Sequence, residues 1–150
     1  MSIDFPLQTV LDLMQTRTDK AARDLGRLIA AEQDAKAKLK LLENYRAEYV
    51  QRFQEAAKSG ISPQQWANYQ DFTNKLDEAV AQQRKIVEAS NNRTAEGQQR
   101  WLDQRNKVKA FDTLAVKHQH AQRYQDGRNE QKISDELTTR KHLSDKQEEP

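Results

Sequence analysis

The sequence predicts an all-α fold, a long two-helix antiparallel coiled coil (a helical hairpin) with a C-terminal helical extension. Three observations predict it. Between Pro6 and Pro150 the chain holds one proline, Pro63, within Ser59-Gly60-Ile61-Ser62-Pro63. On either side of it apolar residues recur in three-four spacing. Only 35% of the 150 residues are hydrophobic and 32% are charged, with a mean hydropathy of -1.09. That apolar fraction is thin for a compact globule but sufficient for a seam that uses about two positions in seven.

The first arm is predicted over residues 7–58. Alternate steps of four and three from Leu7 meet Leu11, Met14, Ala21, Leu25, Leu28, Ala35, Leu39, Leu42, Tyr49, Phe53 and Ala56, interrupted by Thr18, Glu32 and Arg46. A seam sustained this long imposes a left-handed supercoil. Pro6 stands where a missing N–H costs little, and Gly60 stands just past the end. A turn over residues 59–62 follows.

The second arm is predicted over residues 63–141, with a frayed tail at 142–150 and the whole chain forming a single coiled-coil domain. Ser62 suits an N-cap, Pro63 the first helical position and Gln65 the third position of a capping box. Its seam runs Trp66, Tyr69, Thr73, Leu76, Val80, Gln83, Val87, Ser90, Thr94, Gly97, Trp101, Gln104, Val108, Phe111 and Ala115. The stretch from Ser90 to Gly97 is the poorest in apolar residues.

Facing positions of an antiparallel hairpin share a constant residue-number sum, here about 122 for a turn centred near residue 61. Phe53 then faces Tyr69, Leu42 faces Val80, and Leu11 faces Phe111. Bulky Trp101 falls opposite Ala21, and Gly97 opposite Leu25. Polar Thr18 meets Gln104 and Glu32 meets Ser90, layers that cost stability but specify register. Arg46 opposite Leu76 does not fit, unless its stem packs and its head reaches outward. A slip by one heptad is the competing register. Beyond residue 115 the second arm has no facing partner, so residues 116–150 are expected to order against another molecule.

The composition also narrows function. Net charge is +2, with acidic and basic residues nearly balanced along the chain, so no basic stripe points to nucleic acid. The chain has no cysteine, hence no disulfide framework. No apolar run approaches a membrane span, and the N-terminus does not read as a secretory signal. His118 and His120 are two apart, which on a helix points them to different sides, so no metal site is predicted. The glycines match no phosphate-loop spacing, and a two-helix seam offers no cleft to shift carboxylate pKa values. The chain is therefore read as a non-enzyme without a cofactor.

One cluster departs from the ordinary. Tyr45, Tyr49, Phe53, Trp66, Tyr69 and Phe72 all lie near the turn. Tyr45 and Phe72 sit one position off the seam, and Leu41, Leu42, Leu76, Ala79 and Val80 extend an apolar strip beside them. Such off-seam aromatics are typical partner anchors.

These residues resemble the flagellar FliJ family, the soluble coiled-coil component of the flagellar type III export apparatus. The likeness is carried by Phe5-Pro6-Leu7-Gln8 with Val10-Leu11, and by Leu42-Glu43-Asn44-Tyr45-Arg46-Ala47-Glu48-Tyr49. It continues through Trp66-Ala67-Asn68-Tyr69-Gln70-Asp71-Phe72, Lys75-Leu76 and Gln82-Gln83, then Trp101, Lys107, Glu130-Gln131-Lys132 and Asp135-Glu136. The resemblance implies a stalk-like antiparallel coiled coil that inserts into the hexameric export ATPase FliI, promotes its assembly, contacts the export gate protein FlhA and handles escort chaperones. It implies gate docking through Leu42, Tyr45, Tyr49, Phe72, Leu76 and Ala79, and ring contact near Arg17, Arg23, Arg123, Arg128 and Lys132. It also implies a cytoplasmic location, peripheral at the export apparatus, without direct membrane insertion. A stalk protein of an injectisome and a scaffolding coiled coil remain the alternatives.

Overall fold

The computed structural model describes the backbone of residues 5–148 and the side chains of residues 7–146. Two helices account for nearly all of it: α1, Phe5–Ser59, and α2, Pro63–Glu148. No strand occurs among the described residues. The all-α helical hairpin is thus as the spacing predicted. α2 continues past Lys141 to Glu148, so residues expected to fray are helical up to that point, and the rest of the expected tail lies outside the described residues.

The reversal between the helices is built from local chemistry. The Gly60 amide donates to the Ala57 carbonyl at 3.3 Å, and Gly60 adopts a positive φ of 87°, which a side chain would strain. Across the turn the Ser62 amide donates to Gln65 Oε1 at 3.0 Å, while the Gln65 amide donates to Ser62 Oγ at 3.1 Å. This reciprocal pair is the capping box that the sequence predicts, and it satisfies amides that the first turn of α2 would otherwise leave bare.

The chain groups into two compact units, one of residues 18–104 and one of residues 1–17 with 105–150. In the first unit α1 and α2 pack against each other with Ala35, Leu76 and Val80 buried, and with Thr18 and Ser90 as buried polar positions. The cross-helix pairs Phe53–Tyr69 and Leu28–Thr94 match the expected sum of about 122, and Gln83 reaches one turn further along α1. The rings of Phe53 and Tyr69 lie 5.2 Å apart, and Thr94 Oγ1 donates to the Leu28 carbonyl at 3.3 Å. Gln83 Nε2 donates to the Ala35 carbonyl at 3.0 Å.

Gly97 is buried where the helices approach closely. A Cβ there would stand 2.6 Å from Leu28 Cδ1 and 3.6 Å from Leu25 Cδ1. The expected Leu25 neighbour is present, but Leu28 makes the tighter approach. The absent side chain lets two leucines fill the layer.

One seam expectation differs, and one misfit finds its partner. Trp66 is 52% exposed rather than in the seam. Its facing position is Ala56, near the end of α1, and a methyl group cannot cover an indole. Arg46 is half-buried and donates from Nε to Asp77 Oδ1, so the misfit layer is resolved by an ion pair across the helices.

In the second unit Leu11 and Ala115 are buried and Leu7, Val10, Met14, Val108 and Phe111 are half-buried. From Arg123 to Lys146 every residue is exposed, including Tyr124, Ile133, Leu137 and Leu143. No described helix is long and apolar enough to cross a membrane.

Ser62→Ala removes a cap and is expected to cost about 1 kcal/mol, and Gly60→Ala a similar ~1 kcal/mol, each read from urea unfolding. Glu32 is half-buried, and its carboxyl is held below the ordinary carboxylate range by the Lys36 ammonium at 3.0 Å. A depressed carboxylate pKa stabilises the fold above the unfolded-state value and stops doing so as pH falls through the folded value. The stability difference between the wild type and Glu32→Gln should therefore be present at neutral pH and vanish in acid.

Candidate functional site

Successive residues of a helix rotate by about 100°, so positions immediately before and after a seam residue lie on opposite edges of the seam. In the unit of residues 18–104 these edges differ in chemistry. One edge, a position before the seam, carries Tyr45, Phe72 and Ala79. The other, a position after it, carries Glu43, Asp77 and Arg84.

The aromatic edge is a continuous ladder. Phe53 meets Tyr69, and Tyr69 meets Tyr49 at 5.5 Å. Tyr49 meets Phe72 at 4.4 Å, and Phe72 meets Tyr45 edge-to-face at 6.3 Å with an interplanar angle of 84°. Alternation between α1 and α2 staples the helices together, and contacts of this kind contribute about 0.5–1.5 kcal/mol each beyond area burial. Burial pushes the Tyr49 hydroxyl above its ordinary pKa, with Tyr69 and Tyr45 adding to the shift.

The six expected docking residues divide by exposure. Tyr45 is 44% exposed. Leu42, Tyr49, Phe72 and Ala79 are half-buried, each presenting part of its surface. Leu76, at 6% exposed, is core and packs beneath the strip. Its position in the seam itself, rather than beside it, explains why. Leu41, placed by the sequence in the apolar strip but not among the six docking residues, is 70% exposed and lies one turn before Tyr45 on the same helix. Its place beside seam residue Leu42 was the signal for it. Trp66 is a further exposed aromatic near the turn, and Tyr49, Arg52, Gln65, Asn68 and Tyr69 line a shallow depression of about 340 Å³ there.

The opposite edge is ionic. Arg46 pairs with Asp77, and Arg84 Nη2 donates to Glu43 Oε1 at 3.3 Å. The four residues, with Val80 and Ala81, line an open groove of about 630 Å³. Their side chains are 43–65% exposed, so each pair adds at most about 1 kcal/mol to stability. Sequence reasoning did not find this edge. Its trace was a charged residue directly after seam positions Leu42, Leu76 and Gln83.

The expected ring-contact residues are exposed. Arg17, Arg123, Arg128 and Lys132 belong to the unit of residues 1–17 and 105–150, whereas Arg23 belongs to the other. Arg128 lies over the Tyr124 ring at 5.9 Å from its centroid, a contact one helical turn apart. Among the described residues these five cations make no ion pair. No three His, Asp or Glu side chains of the described residues converge on a possible metal position.

The comparisons with known proteins agree with this geometry in extent. The family model described as Flagellar FliJ protein matches residues 3–147. The chain is 29% identical to the flagellar FliJ protein of Escherichia coli (strain K12) over 134 residues, covering 89% of this chain and 91% of that protein. It is 30% identical to the flagellar FliJ protein of Salmonella typhi over 134 residues, with the same 89% and 91% coverage. The match takes in both helices, the turn and the aromatic ladder, and the protein belongs to the flagellar FliJ family.

Proposed function

We propose that this chain is a non-enzymatic component of the flagellar protein-export apparatus that works as a coupling stalk. The match to the flagellar FliJ family across residues 3–147 carries this reading. In it the chain inserts into the export ATPase hexamer, FliI, promotes assembly of that ring and links it to the export gate protein FlhA. It also handles escort chaperones. It acts in the cytoplasm, peripheral to the membrane-associated apparatus.

The aromatic edge supports the gate-docking half of the proposal. Tyr45, 44% exposed, stands on a ladder that holds its ring against Phe72, so a partner meets an anchor that is already ordered. Leu42, Tyr49, Phe72 and Ala79 form the surface of the strip, and buried Leu76 supports it from below. Exposed aromatics backed by rigid packing are the usual centres of binding energy. For the ring, Arg17, Arg123, Arg128 and Lys132 supply exposed cations on one unit, and Arg23 is a separate candidate on the other.

The combined substitution Tyr45→Ala and Phe72→Ala should leave circular dichroism near the wild-type helix content but abolish capture of the purified gate protein. Retained capture would place docking elsewhere. Purified chain added to the purified export ATPase should raise hydrolysis, and Arg123→Glu with Arg128→Glu and Lys132→Glu should reduce that stimulation. An unchanged hydrolysis rate on adding wild-type chain would count against the stalk role.

A further inference from the structure

A heptad seam repeats, so it does not by itself distinguish one register from another a heptad away. The ionic edge does. In the observed register Arg46 meets Asp77 and Glu43 meets Arg84. If α2 slips by one heptad in one direction, the position opposite Arg46 is taken by Arg84. If it slips by one heptad in the other, the position opposite Glu43 is taken by Asp77. Either slip replaces attraction with like-charge repulsion. The same slips would bring Ala79 or Gln65, in place of Phe72, to Tyr45.

We infer that Arg46, Asp77, Glu43 and Arg84 form a register lock whose role is to position the aromatic edge on the other side of the seam. The four residues are positioning residues: together with the turn, they favour the register in which Tyr45 meets Phe72. Gln83, beside Arg84, adds a further cross-helix bond by donating to the Ala35 carbonyl at 3.0 Å. The capping box at Ser62 and Gln65 holds the reversal itself. The lock acts further along the hairpin, at the level of Tyr45 and Phe72. Charge patterns beside a coiled-coil seam select pairing geometry more than they add stability. The lock needs no assumption about which partner the aromatic edge meets.

The test reads register directly. In the full chain, nuclear Overhauser contacts between the Tyr45 and Phe72 rings report the observed pairing. Asp77→Arg makes the native register repulsive at Arg46 and the slip that faces Glu43 attractive. It should remove the Tyr45–Phe72 contacts while helix content by circular dichroism stays at the wild-type level. Adding Arg46→Glu to Asp77→Arg makes that pair attractive again, with Glu43 and Arg84 unchanged, and should restore the contacts. Should Asp77→Arg fail to fold, Glu43→Arg alone and with Arg84→Glu supplies the same comparison at the second pair. Ring contacts that survive the single reversal, or that do not return in the folded double variant, would overturn the lock. Because the readout requires no partner, it stands apart from any result on gate or ATPase binding.

Discussion

The turn between Ser59 and Pro63 is the constraint on which the rest of the unit of residues 18–104 depends. Gly60 reverses the chain through a conformation open to glycine at little cost, and the Ser62–Gln65 box starts α2 at a defined residue. Once both ends are set, each residue of α1 has an assigned level on α2. Phe53 reaches Tyr69, Thr94 reaches the Leu28 carbonyl, and Gly97 leaves room for Leu25 and Leu28. A turn of different length would move every one of these layers together.

The two edges of the seam divide the labour. The aromatic edge supplies packing and an exposed surface at Tyr45 and Leu41. The ionic edge contributes little to stability, since its four side chains remain substantially solvated. Its value lies in discrimination, because like charges meet in the neighbouring registers. Buried Thr18 and Ser90 follow the same logic, giving up apolar burial for layers that do not interchange with Leu or Val.

Much of this was legible in the primary structure. The period of the apolar residues, the lone central proline and the Ser-Pro-Gln-Gln start named the helices and their direction. The ladder residues Tyr45, Tyr49, Phe53, Tyr69 and Phe72 were visible as a cluster, and the family followed from the motifs that contain them. Less was legible about individual exposure. Trp66 reads as a seam residue by spacing, yet the position facing it holds the small Ala56 and it is 52% exposed. Leu76 reads as part of a surface strip, yet it is core. Spacing assigns a residue to a face, but exposure depends on the size of whatever stands opposite.

The sequence by itself determined the all-α class, the antiparallel hairpin, the capping box and the approximate pairing sum, because each follows from local propensity or from a period repeated many times. Tertiary structure alone decided that Arg46, the one layer that did not fit, pairs with Asp77, and that Glu43 pairs with Arg84 on the same edge. It also decided that Leu28 rather than Leu25 makes the closest approach to Gly97. These outcomes rest on side-chain reach across the interface between two helices. A one-dimensional pattern gives the level at which two residues meet, but not the rotamer by which a long side chain leaves its own layer for the next.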